Sequence, residues 1–426
     1  MVAIGVLKSC YFLTDAYFVG KLGDDALIAL GGVAFAWWMV LLSGELAGTG
    51  IHSLVARHIG AGKSDRIGPT TTQGLWVALA VAVALLGFIP IREGYFDLLG
   101  FAAGSIEQGL GSEYLLACLL GASTFAVHAA FTGTFRGLGD TRTALLITAI
   151  TLVVNAVLDP LLIWGFGPIP GLGIAGAAWA TSAANSLGAL LGWFFLRRGG
   201  VAVTIEAPET EKMKEIAIIG APVSARGIAF SMVYVLLGRF ITSFDTHQMA
   251  ALGVGHRLES FPYMLCVGFE VGAATMVGQY VGAGDREGAD RAARVAAWMC
   301  VLATVPMSIA LFVFAEPLFA FFANRPETVA AGVIYLRIQT VAFAGMALEA
   351  IYEGGFTGTG NTIPAFWIGA IGTFARLPLA YVLAWPLGFG IEGIWWAIAS
   401  TTIVKGIVMW AWFKRIELPR LGPEAP

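Results

Sequence analysis

The chain has 426 residues, of which 58% are hydrophobic and only 12% charged, with a mean hydropathy of +0.79. Soluble domains carry about 25% charge, so a soluble enzyme around one core is excluded. Apolar residues run in long blocks rather than alternating, which excludes an outer-membrane β-barrel. The formal net charge of −3 gives no electrostatic case for a nucleic-acid partner.

A bilayer core about 30 Å thick takes about 20 apolar residues per helix. Apolar blocks separated by charged or Gly/Pro-rich points predict twelve spans. They lie near 1–19, 28–56, 67–91, 108–134, 142–165, 173–196, 213–241, 248–276, 290–315, 329–356, 362–385 and 391–413. The predicted fold class is all-α, a polytopic membrane protein of two pseudo-symmetric six-helix bundles. The opening lacks a basic n-region and a small-residue cleavage site, so no secretory signal is expected. It is already apolar, with Lys8 mid-span and no polar lead, which predicts a missing N-terminal piece.

Lysine and arginine set the orientation. With the N-terminus inside, fifteen basic residues fall in inside segments, against Lys21, Arg92, Arg239 and Arg325 outside. Both termini are therefore expected in the cytoplasm, and the chain in the cytoplasmic (inner) membrane. The only long polar connection, Arg198 to Glu215, follows span six. It divides the chain into an N-terminal lobe (1–197), a cytoplasmic linker (198–211), a C-terminal lobe (212–417) and a tail (418–426).

The halves repeat. Val55-Ala56-Arg57-His58-Ile59-Gly60-Ala61-Gly62 aligns with Val277-Gly278-Gln279-Tyr280-Val281-Gly282-Ala283-Gly284. Phe131-Thr132-Gly133-Thr134 recurs as Phe356-Thr357-Gly358-Thr359, and Gly139-Asp140-Thr141 as Gly360-Asn361-Thr362. Gly171-Leu172-Gly173-Ile174-Ala175-Gly176 recurs as Gly388-Phe389-Gly390-Ile391-Glu392-Gly393. Matches in one order at offsets of 217 to 225 indicate a duplication. Six helices per copy give both copies the same topology, related by an axis along the membrane normal.

Carboxylates at membrane depth cost at least about 2.5 kcal/mol and are functional candidates by default. Asp15 and Asp159 each lie five or six residues from the outer end of their span, at Gly20 and Gly165. Asn155 sits one turn before Asp159 on the same face. Pro160 removes a backbone donor beside it, and Thr181 comes to a comparable depth in span six. Two carboxylates, an amide and a hydroxyl suit Na⁺, and two buried acids can share a proton. The alternative is a polar network that only locks the helices. The second half holds Arg226, Arg257, Glu259, Glu270, Glu349, Glu353 and Arg376. These make internal salt bridges, or else Glu349, Glu353 and Arg257 face a substrate cavity. Glu45 stands open between the same two roles. No cofactor is expected: Cys10, Cys118, Cys266, Cys300 and the five histidines show no metal-ligand spacing.

Asp15-Ala16-Tyr17-Phe18-Val19-Gly20-Lys21-Leu22-Gly23 resembles the first-helix signature of the MATE (multidrug and toxic compound extrusion) transporters. The 55–62 stretch with its echo resembles the same family. Asn155 with Leu158-Asp159-Pro160, and the Gly-Ile-Ala-Gly-Ala-Ala-Trp-Ala-Thr run at 173–181, resemble helices five and six of the DinF-like branch. The resemblance covers nearly the whole chain. It implies a monomeric antiporter, not an enzyme, exporting small organic, often cationic, molecules through the lipid membrane in exchange for H⁺ or Na⁺. It maps the cation site onto Asp15, Asn155, Asp159 and Thr181. The branch that uses acids on helices seven and ten is matched less well, since span seven holds Arg226 and no acid. Two other classes are weighed. A lipid-linked oligosaccharide flippase would want the arginines 226, 257 and 376 in its cavity. A membrane-embedded enzyme would need a nucleophile–base pair or a metal motif that the sequence lacks.

Overall fold

The computed structural model describes residues 17–421 apart from 100, 168, 205, 245, 323 and 324. The chain divides into two compact units, Ala3–Ser224 and Ala225–Pro426.

In the first unit, residues 17–20 are helical. There follow α1 (Asp24–Gly60), α2 (Ile67–Leu86), α3 (Arg92–Leu98), α4 (Ile106–Leu120), α5 (Ala122–Leu138) and α6 (Thr141–Trp164). A two-stranded antiparallel hairpin, β1 (Gly165–Phe166) and β2 (Ile169–Pro170), turns the chain into α7 (Ile174–Arg198). The long α1 packs along α5, and α6 pairs with α7. Val19, Val33, Phe96, Tyr114, Phe125, Ile163 and Ile174 form one buried cluster. The second unit contains most of α8 (Thr210–Thr242), then α9 (Thr246–Gly282), α10 (Arg286–Val313), α11 (Ala315–Phe322) and α12 (Pro326–Thr340). It continues with α13 (Phe343–Thr359), α14 (Ile363–Phe374), α15 (Arg376–Ala384), α16 (Gly390–Trp412), a π-turn at Phe413–Glu417 and α17 (Leu418–Arg420). Here α9 packs along α13.

The duplication is written in the helix lengths. α1 and α9 each have 37 residues, α4 and α12 each 15, and α5 and α13 each 17. The turns repeat as well. Gly62 and Gly284 have φ of 69° and 73°, and Gly139 and Gly360 of 77° and 81°. A left-handed residue ends a helix without a Cβ penalty only as glycine, so these matched glycines fix the same chain reversals in both copies.

Spans four and ten, expected as single helices at 108–134 and 329–356, are bent. α4 and α5 meet at 47° about Gly121, and α12 and α13 at 52°. The span expected at 362–385 breaks at Ala375 into α14 and α15. Among the described residues, eight helical stretches are long and apolar enough to cross a bilayer, or ten with the bent pairs. α7 is a 25-residue helix outside that set, its hydropathy diluted by Gly, Ser, Thr and Asn185. The molecule is an all-α polytopic membrane protein.

The polar connection after α7 is held against α2. Gln73 donates from Nε2 to the Ala207 carbonyl (2.9 Å) and accepts at Oε1 from the Glu209 amide (2.8 Å). Thr72 Oγ1 donates to the Thr204 carbonyl (2.8 Å), and Trp76 Nε1 to the Glu206 carbonyl (2.9 Å). The early part of α8 stays with the same unit: Ser224 Oγ donates to the Leu42 carbonyl at 2.7 Å.

Candidate functional site: two buried polar clusters

The first cluster stands on α6 and α7. The hairpin returns the chain so that the Leu172 and Gly173 amides donate to the Leu162 and Ile163 carbonyls, at 2.8 and 3.1 Å. Gly176 then lies against the Leu162–Ile163 backbone, where a Cβ would collide. That close approach sets the register of the helix pair and brings Thr181 opposite Asn155. Asn155 Nδ2 donates to Asp159 Oδ1 and to Thr181 Oγ1, both at 3.2 Å. Thr181 Oγ1 in turn donates to the Ala177 carbonyl at 2.9 Å. Asn155 and Asp159 are fully buried and Thr181 nearly so. Asn155 Oδ1 accepts no hydrogen bond among the described residues. Pro160 lies inside α6, so the Ala156 carbonyl lacks its usual i+4 donor.

α6 is inverted relative to a soluble helix. Thr148, Thr151, Asn155 and Asp159 occupy its buried stripe, while Val153 and Val157 on the opposite side are 63% and 56% exposed. Lipid takes the place of water outside, so the polar stripe is internal. The two threonines were not singled out from sequence. Their i, i+3, i+7, i+11 spacing with Asn155 and Asp159 was the available signal.

The fourth residue expected at this site, Asp15, lies outside the described residues. Directly after it in sequence, Phe18 meets the Trp164 ring edge-on (centroids 5.7 Å apart), and Val19 is buried with Ile163, Ile174 and Ala177. The end of the first span thus packs at the Trp164 end of α6 and the Ile174 end of α7.

The second cluster stands on α8, α13 and α16 of the other unit. Arg226 pairs with Glu353 (Nη2 to Oε1, 2.5 Å) and with Glu349 (Nη1 to Oε1, 3.5 Å). Lys405 Nζ donates to the same Glu349 oxygen at 2.7 Å. Glu349, Glu353 and Lys405 are all buried. Arg376 is held separately, donating to Thr401 (3.0 Å), Thr402 (2.9 Å) and the Tyr234 hydroxyl (3.4 Å). Its guanidinium lies 5.7 Å from both the Phe230 and Tyr234 ring centroids. Arg257, a candidate with Glu349 and Glu353, is exposed on α9. Lys405 was not singled out, although a lysine in the middle of an apolar 23-residue helix is a visible signal. Glu45 pairs with Arg136 at 3.3 Å, joining α1 to α5.

The two clusters differ in chemistry. The first offers carboxylate, amide, hydroxyl and a loosened carbonyl, all hard oxygen donors of the kind that hold an alkali cation. The second offers carboxylates already engaged by fixed cations. Among the described residues, no three His, Cys, Asp or Glu side chains gather as a metal site.

The MatE family model matches residues 1–161 and 222–382. A relative described as a probable multidrug resistance protein NorM, from Thermotoga maritima, is 27% identical over 412 residues, 96% of this chain and 89% of the relative. An FAD transporter from Shewanella oneidensis is 25% identical, covering 97% of this chain and 92% of its own. Among solved structures, a MOP superfamily transporter from Pyrococcus furiosus superposes with a TM-score of 0.91 at 22% identity, over 99% of this chain and 94% of that one.

Proposed function

The chain belongs to the MatE family, and from that premise we propose that it is a multidrug efflux antiporter. It exports small organic, often cationic, compounds in exchange for H⁺ or Na⁺ by alternating access. It works as a monomer of the DinF-like branch, with both termini in the cytoplasm. The observation that carries the reading is the Asn155–Asp159–Thr181 cluster: a buried acid on a membrane-spanning helix that accepts from Asn155, which also donates to Thr181. Asp15 completes the proposed coupling set.

Coupling follows from charge and geometry. Asp159, once it takes up a proton or a cation, is neutral to its surroundings. Released, it is a buried carboxylate that accepts from the Asn155 amide. The two states favour different packing of α6 against its neighbours, with the loosened backbone at Pro160 as the compliant point. Antiport results when cation and exported compound each bind the two conformations with different affinity. The same buried stripe of α6 holds Thr148 and Thr151, whose hydroxyls donate to the Ala144 and Thr148 carbonyls.

The test is transport in proteoliposomes with H⁺ and Na⁺ gradients imposed separately. An organic-cation dye serves as cargo, with FAD in a parallel arm. Gradient-driven dye movement that fails in Asp159→Asn supports the reading. Movement of FAD alone, independent of both gradients, overturns it.

A further inference from the structure

The face of α7 turned away from the polar cluster has a shape of its own. Thr181, Gly188 and Gly192 point inward and are buried, whereas Leu190 and Trp193 are 64% and 40% exposed. α4 and α5 cross α7 at Gly121, where a Cβ would strike the Ser182 hydroxyl. Because the two helices bend by 47° at that point, they diverge from α7 on either side of the crossing and leave two gaps. One is a cavity of about 470 Å³ lined by Leu79, Thr124, Phe131, Ser186, Leu190 and Trp193. The other, about 290 Å³, is lined by Leu116, Leu120, Leu172 and Trp179, with Glu113 at its edge.

The walls of the larger gap suit hydrocarbon. Thr124 Oγ1 donates to the Gly121 carbonyl (2.8 Å) and Ser186 Oγ to the Ser182 carbonyl (2.9 Å), so both hydroxyl protons are turned into the helices. The mouth of this gap is basic. Arg197 stacks over the Trp193 ring at 5.3 Å, Arg198 follows it, and both are exposed. The start of α2 lies at the same end, since Gly68 packs on the Ala202 carbonyl, and it brings Arg66. The smaller gap has the opposite sign at its edge, the exposed Glu113.

We propose that the larger gap is a binding groove for an anionic phospholipid, one acyl chain lying between α5 and α7 and the phosphate resting on Arg197 and Arg198. Bulk lipid tails are as apolar as the groove, so the groove supplies shape and the arginines supply selectivity. The acidic edge of the smaller gap makes that one a poor place for the same headgroup.

The experiment is native mass spectrometry of the full chain in detergent, titrated with phosphatidylglycerol or phosphatidylcholine of identical acyl chains. The parent is expected to retain one phosphatidylglycerol in preference to phosphatidylcholine. Arg197→Gln and Arg198→Gln should each weaken that binding about five-fold, the ratio equivalent to about 1 kcal/mol per basic residue at an anionic lipid surface. Ala189 also lines the groove, and Ala189→Trp, which fills it, should abolish binding, while Glu113→Gln leaves it unchanged. Thermal unfolding in lipid-free detergent checks that each variant is folded. Equal retention of the two lipids by the parent, or undiminished phosphatidylglycerol on folded Arg197→Gln/Arg198→Gln or Ala189→Trp, overturns the proposal.

Discussion

The two units hold buried acids in opposite ways. Asp159 in the first unit is approached by an amide and sits one residue from a proline that loosens its own helix. Glu349 and Glu353 in the second are clasped by Arg226 and Lys405. A buried acid held through an amide can change charge when a proton or cation arrives. A buried acid with a fixed cation does not need one, and losing its partner is costly. Duplication supplied the same frame twice, down to matched helix lengths and turn glycines, and the two copies put different chemistry inside it. On the proposed function, a carboxylate's partners, more than its depth, separate an ion site from a structural clasp.

The largest effect expected from breaking this contrast is on the clasp. Arg226→Met leaves Glu353 and Glu349 short of a partner, and breaking one side of a buried pair costs about 3–5 kcal/mol. Thermal unfolding of the purified protein should show a marked drop, recovered in part when Glu353→Leu is added. Asp159→Asn comes next. It should remain folded, because an amide can keep the contact to Asn155, but lose coupling. Coupling energies of about 1–3 kcal/mol correspond to roughly 5–150-fold, so gradient-driven accumulation should fall by that order while downhill exchange persists. Thr181→Val removes one hydroxyl partner of Asn155. A typical hydrogen bond contributes about 0.5–1.5 kcal/mol, so cation dependence should shift by several-fold, read as the concentration of Na⁺ or H⁺ giving half-maximal transport. The smallest effect is on the strap. Gln73→Leu removes two hydrogen bonds from the connection at 199–209, and limited trypsin digestion at Lys212 should become faster with transport little changed.

Much of this was legible beforehand, for reasons of distance along the chain. Asn155 and Asp159 are one helical turn apart, and spacing alone puts them on one face. The repeat could be read because its glycines mark turns that only glycine makes easily. The clasp, Lys405 apart, could be listed but not paired: Arg226 meets Glu349 across 123 residues and Lys405 meets it across 56, and helix rotation decides which charges face each other. The bend at Gly121 was hidden because glycine is common in membrane helices. Here it matters through its contact with Ser182. The connection after α7 looked like a polar tether, yet Gln73 and Trp76, inside an apolar span, are what hold it. Asp15 was placed by depth and by the family resemblance, and lies outside the described residues.

The central claim, that coupling resides in the α6–α7 cluster and not in the paired acids of the other unit, has a direct measurement. Uphill dye accumulation is followed in proteoliposomes under an imposed gradient, for the parent and for Asp159→Asn at matched protein density and orientation. The account predicts that the variant equilibrates the dye across the membrane but builds no gradient of it. Accumulation at the parental level by folded Asp159→Asn would contradict it and move the coupling site elsewhere.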